Sequence, residues 1–116
     1  MPILKITSIV CEIPEEDDQD EIYLVYRDKK IWPKDQKFLK IDYDERLPVG
    51  IQVKLNKPGR MKLELMEYDL ASANDHLGTF QLDIVSLKPA AYTELLLRDE
   101  KGAKRASYYL NWEIIE

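Results

Sequence analysis

Eight short runs of this chain alternate apolar with polar residues, and no segment of ten or more residues keeps a helical period. Such runs bury one face of a strand, and turn signals separate them at short intervals. Together these features predict an all-β chain, an eight-stranded antiparallel β-sandwich. The first run ends near Glu12, with Leu4, Ile6, Ser8 and Val10 on one face and Ile3, Lys5, Thr7 and Ile9 on the other. The others lie over residues 21–27, 37–43, 50–55, 61–68, 79–85, 92–98 and 105–115. Asp28-Lys29-Lys30 reads as a turn, after which Ile31-Trp32 resumes extended structure until Pro33 stops it. Leu47-Pro48 reads as a break. In Lys57-Pro58-Gly59-Arg60 the proline sets φ and Gly59 permits a positive φ. Residues 86–92 are the one place where a short helical turn is allowed, and 99–102 form a further turn.

The chain has 116 residues, enough for one domain with a real core over 1–116. A charged share of 34% beside 45% hydrophobic residues marks a globular chain, not a disordered one. The net charge of −5 argues against general nucleic-acid binding, which needs a basic footprint. The lone Cys11 excludes an internal disulfide and reads as a buried thiol. With no apolar run long enough to cross a bilayer and no leader-like segment, the expected location is cytoplasmic, with peripheral membrane attachment open.

The acidic residues are not scattered. Residues 12–21 hold Glu12, Glu15, Glu16, Asp17, Asp18, Asp20 and Glu21 and no basic residue. Farther on, Glu67 and Asp69 share a face at the end of a strand, and a loop brings back Asp75. Several oxygens on adaptable loops, without nitrogen or sulfur, suit a hard divalent cation. Should the two segments meet, carboxylates ~4 Å apart repel by roughly 1–4 kcal/mol per pair at surface dielectrics. The cluster must then take a cation or splay into water.

The later segment resembles the third loop of the C2 domain, the calcium- and lipid-binding module. Glu67-Tyr68-Asp69, the polar loop 70–73, Asn74-Asp75 and Leu77-Gly78 match that family's pattern in order and spacing, with Glu67 where the family usually has Asp. The resemblance covers almost the whole chain and implies two four-stranded sheets. It also implies calcium held between two loops at one end. Asp20-Glu21-Ile22-Tyr23-Leu24 is similar to the end of the first of these, with Asp20 or Glu21 at the acidic position. An earlier acid would come from Glu15, Asp17 or Asp18. The candidate metal residues are therefore Asp17, Asp18, Asp20, Glu21, Glu67, Asp69 and Asp75.

Candidate lipid or partner contacts are Leu70 and Ala71 at the third-loop tip, Trp32 as a partner anchor, and Lys29 and Lys30 within a lysine-rich surface. Lys34, Lys37, Lys40, Lys54 and Lys62 would extend that surface. No catalytic constellation exists: the four glycines are scattered, and Cys11 and His76 belong to core and loop respectively. Neither an enzyme nor a small-molecule substrate is expected. Two readings follow. In one, a C2-like module binds calcium and through it an anionic membrane or protein partner. In the other, a calcium-independent C2-like adaptor assembles with a protein through a sheet face or edge.

Overall fold

Alternation in this chain builds ten strands: β1 (Ile3–Ile13), β2 (Asp20–Tyr26), β3 (Lys29–Trp32), β4 (Leu39–Ile41), β5 (Glu45–Lys54), β6 (Gly59–Glu67), β7 (Asp75–Ile84), β8 (Ala90–Leu95), β9 (Leu97–Arg98) and β10 (Ser107–Ile115). The computed structural model describes residues 1–70, 73–98 and 105–116. The expected turn at 99–102 and the tip residue Ala71 lie outside the described residues. One sheet has the order β5-β1-β10-β8, the other β3-β2-β6-β7-β9, and all pairings are antiparallel.

β4 pairs with Asp20–Ile22 and β3 with Leu24–Tyr26, so the two form one interrupted edge strand along β2. Counted that way, and setting aside the two-residue β9, each sheet has four columns. The eight-stranded antiparallel sandwich is the fold observed, and no described residue is helical. The 86–92 segment bends and then enters β8.

The core is the inner face of each sheet. Leu4, Ile6, Ile9 and Cys11 of β1 lie beside Tyr108, Leu110, Trp112 and Ile114 of β10. They face Ile22, Leu24, Leu63, Leu65, Phe80 and Leu82 of the second sheet. Full burial of such a side chain is worth roughly 1.5–3 kcal/mol.

Strict alternation misassigns part of this core. β1 carries an extra residue at Thr7 relative to β10, which turns Ile9 and Cys11 inward in place of Ser8 and Val10. Thr7 Oγ1 there donates to the Asn111 carbonyl at 2.9 Å. β5 likewise runs through Pro48, because it is an edge strand and proline need not complete a ladder there. Gly50, at φ 76, supplies the bulge opposite Thr7.

The first turn comes one residue earlier than expected. Arg27 (φ 51) and Asp28 (φ 65) form a two-residue connection of the I′ kind between β2 and β3. Gly59 needs no positive φ; it is the first residue of β6, opposite Ile84. The run 92–98 is not one strand: the chain leaves the first sheet after Leu95 and joins the second at Leu97.

Candidate functional site

The two acidic segments meet. β2 begins where β6 ends, and the Tyr68 N–H donates to the Glu21 carbonyl at 2.8 Å. Between them opens a cleft of about 630 Å³ lined by Glu16, Asp17, Asp18, Gln19, Glu21, Lys40, Glu67, Tyr68, Asp69 and Leu70. Its aromatic wall is built: Phe38 stacks on Tyr68 at 5.1 Å, and Lys37 Nζ lies 5.7 Å from the Tyr68 ring centre.

Individual carboxyls are committed inside the protein. Asp20 is completely buried. Its Oδ2 accepts the Glu15 N–H at 2.8 Å and the Tyr108 hydroxyl; its Oδ1 accepts the Glu16 N–H at 2.9 Å. Glu67, 5% exposed, lies against it. Burial pushes the Glu67 carboxyl up to about 9, and its hydrogen bond with Asp20 and the Asp20 charge push the same way. At neutral pH Glu67 therefore favours its protonated form. The Tyr108 hydroxyl is also driven upward, first by burial and then by Asp20.

The rest of the first loop is tied to the start of the last strand. Glu15 Oε2 accepts the backbone N–H groups of Ala106 at 3.0 Å and Arg105 at 3.2 Å. Arg105 Nη1 bonds Asp17 Oδ1 at 2.8 Å. In the third loop, Asn74 accepts the Asp69 N–H at 2.9 Å and donates to the Tyr23 hydroxyl at 2.7 Å. That residue is a brace for the turn. The crowding expected from the sequence is thus relieved by protonation, backbone donors and Arg105.

Of the seven candidate metal residues, Asp17, Asp18, Glu21, Glu67 and Asp69 line the cleft. Asp20 lies beneath it, in the core. Asp75 is exposed at the start of β7 and does not line it. Among the described residues no three His, Cys, Asp or Glu side chains are placed to hold one metal ion. The Asp20 oxygens already accept three hydrogen bonds, and burial favours the protonated form of Glu67.

Trp32 requires a correction: it is 5% exposed, part of the core, and no contact surface is left on it. Leu70 is 87% exposed at the cleft rim. Lys29 is exposed on the edge strand β3. Its neighbour Lys30 donates from Nζ to the carbonyls of Pro33 (2.7 Å) and Gln36, closing the loop after β3. His76 pairs with Glu64, which also accepts the Thr79 hydroxyl at 2.9 Å, away from the cleft. Cys11 is buried, and burial raises its thiol to about 11. It should stay inert to a thiol reagent at ~pH 8 until the protein unfolds; labelling of the native protein at a free-thiol rate would contradict its placement.

Sequence reasoning placed Lys40 only in the lysine-rich surface and did not single out Tyr108, Phe38 or Arg105 for the site, which they reach through the folding together of distant segments. No helix among the described residues is long and apolar enough to cross a membrane. No protein-family profile matches the chain. No curated protein matches it either. Among solved structures it is similar to a C2 domain (the one lettered A) of plant Extended Synaptotagmin 1, at 14% identity over 97% of this chain and 90% of that chain, with a TM-score of 0.48.

Proposed function

We propose that the chain is a non-enzymatic C2-like binding module that works without calcium and receives a cationic segment of a protein partner in the acidic cleft. One observation carries this reading: Asp20 and Glu67, the residues expected to reach an ion from both loops, are buried in the core, with the Asp20 oxygens already accepting the Glu15 and Glu16 N–H groups and the Tyr108 hydroxyl. What remains open to solvent is a groove with Glu16, Asp17, Asp18, Glu21 and Asp69 around it and Tyr68 along one wall. Lys37 already rests over that ring and Lys40 already enters the groove, as a partner's lysine or arginine would.

The meeting of the two loops favours a second reading, in which calcium displaces the Glu67 proton and bridges to an anionic membrane or partner. Melting curves separate the two. Ligand binding to the native state alone raises stability by RT ln(1 + [L]/Kd), about 2.7 kcal/mol at a hundredfold excess. No shift is expected at ~5 mM calcium if Kd lies well above that concentration. A fluorescent octa-arginine peptide should bind in anisotropy titrations, more weakly as salt rises. Combined Asp18→Asn, Glu21→Gln and Asp69→Asn should weaken it about tenfold or more. A calcium-dependent rise in melting temperature, with co-sedimentation on phosphatidylserine vesicles, would establish the second reading instead.

A further inference from the structure

A strand at the edge of a sheet offers a row of backbone N–H and C=O groups to any chain that can pair with it. Most edge strands of this molecule are guarded. β5 is broken by Pro48 and by the bulge at Gly50. β3 and β4 are separated by a loop and carry Lys29, Lys30 and Lys40. β9 has only two residues. β8, the other edge of the first sheet, runs unbroken for six residues, with no proline and no basic residue in it. We infer that β8 is the seat of a two-fold dimer, pairing antiparallel with β8 of a second copy about Thr93, so that the two four-stranded sheets become one.

The strand's own geometry selects this register. The Leu96 N–H donates to the Tyr108 carbonyl at 3.0 Å, in step with the Leu95–Tyr109 and Glu94–Leu110 pairs. Backbone groups alternate in direction along a strand. Those of Tyr92 and Glu94 therefore also point at β10, and those of Ala91, Thr93 and Leu95 point to the open edge. With the two-fold axis at Thr93, Ala91 opposes Leu95 of the second copy, and every outward residue exchanges its N–H and C=O with an outward residue. An axis at Tyr92 sets Leu95 against Pro89, which has no N–H, and one tyrosine against the other.

The side chains are self-complementary in the same register. On the outer face Leu95, 64% exposed, covers the small Ala91 of the second copy. Thr93 meets Thr93, a favoured cross-strand pair. On the inner face Tyr92 opposes Glu94. Tyr92 stacks on Trp112 at 4.3 Å, and its hydroxyl makes no hydrogen bond among the described residues. Glu94 is the one charge on the strand and accepts the Trp112 indole N–H at 3.4 Å. A Tyr92 hydroxyl from the second copy gives it another donor, and no like charge faces it. None of these residues lines the acidic cleft, so the dimer leaves that groove open.

Sedimentation equilibrium over ~10–1,000 µM protein tests the inference. The mass should rise from one copy towards two, with a Kd on the order of 100 µM, because one strand edge makes a small interface. Ala91→Lys, at an exposed position, should weaken association about tenfold or more. Thr93→Pro removes an outward N–H and no bond to β10, and should do the same with an unchanged circular dichroism spectrum. Cysteines read the register. Thr93→Cys places two thiols on residues whose Cα atoms are ~5.5 Å apart, within disulfide range. Ala91→Cys sets them roughly 13 Å apart. Air oxidation should link the first about tenfold or more faster than the second, Cys11 being buried in both. A monomer throughout the range would leave the edge to a different occupant and overturn the inference. So would growth past two copies, a dimer indifferent to both Ala91→Lys and Thr93→Pro, or cross-linking as fast at 91 as at 93.

Discussion

Asp20→Ala should lower the melting temperature by about 10–20 °C. The change strips an acceptor from two backbone N–H groups and the Tyr108 hydroxyl, all in or beside the core. Removing one partner of a buried charged network costs about 3–5 kcal/mol, and in a domain of this size each kilocalorie moves the midpoint by roughly 3–5 °C. A fall under ~3 °C would mean that water replaces the lost acceptor and that Asp20 does not hold the loop.

The neighbouring acid gives the same network a pH signature. Glu67 is raised in the folded protein, from an ordinary 4.5 to about 9. The folded state thus binds its proton more tightly than the unfolded chain. The stabilisation is complete below the unfolded value near 4.5 and is lost as pH rises towards about 9. Stability should fall across that window by up to ~1.4 kcal/mol per pH unit. Glu67→Gln keeps a donor towards Asp20 and removes the titration. The variant should melt at nearly the same temperature at pH 6 and pH 8.5, while the parent loses several degrees. Glu12, held below its ordinary value by the Tyr109 and Ser107 hydroxyls, acts only at the acid end and does not disturb this comparison. Parallel pH profiles for parent and variant would contradict a shared proton at this position.

How much of this was legible beforehand depends on the distance over which the signal acts. Alternation such as Met61, Leu63, Leu65 is a property of one strand, and it located β6 to within a residue or two. The bulge at Thr7 is a property of three strands, and alternation alone assigned Ser8 and Val10 to the face that Ile9 and Cys11 occupy. Pro48 looked like a stop because edge and central strands read alike in sequence; only the sheet order makes it tolerable. The convergence of the two acidic segments was implied by the resemblance to the C2 domain and left open by the strand pattern itself. The upward shift of Glu67 was not, since it depends on burial of its carboxyl beside Asp20. A cluster of acids predicts only that something must relieve the repulsion; which agent does so is decided by burial.

Gly78→Ala should destabilise the protein by about 2–4 kcal/mol, although this glycine has no unusual φ. The reason is space. A Cβ at Gly78 would lie 2.4 Å from the Leu97 carbonyl oxygen, 2.8 Å from Leu96 Cγ and 3.0 Å from the Leu97 carbonyl carbon. Two of these atoms are backbone, in the short crossing where the chain passes from β8 to β9, and backbone held by pairing on both sides cannot step aside cheaply. Leu77 just before it is the extra residue of a bulge: Leu65 pairs with Gly78 and Met66 with His76, so Leu77 turns into the core. Leu77 and Gly78 therefore both face inward, which is why alternation starts this strand at Thr79 and not at Asp75. An alanine must push Leu97 outward, break its pairing with Thr79, and uncover Leu96. A drop in melting temperature of about 6–15 °C is expected, together with faster hydrogen exchange at Leu97 and Arg98 than in the parent. Loss of stability without faster exchange there would place the damage in the Leu77 bulge, and no loss at all would mean that the β8–β9 crossing is free to move.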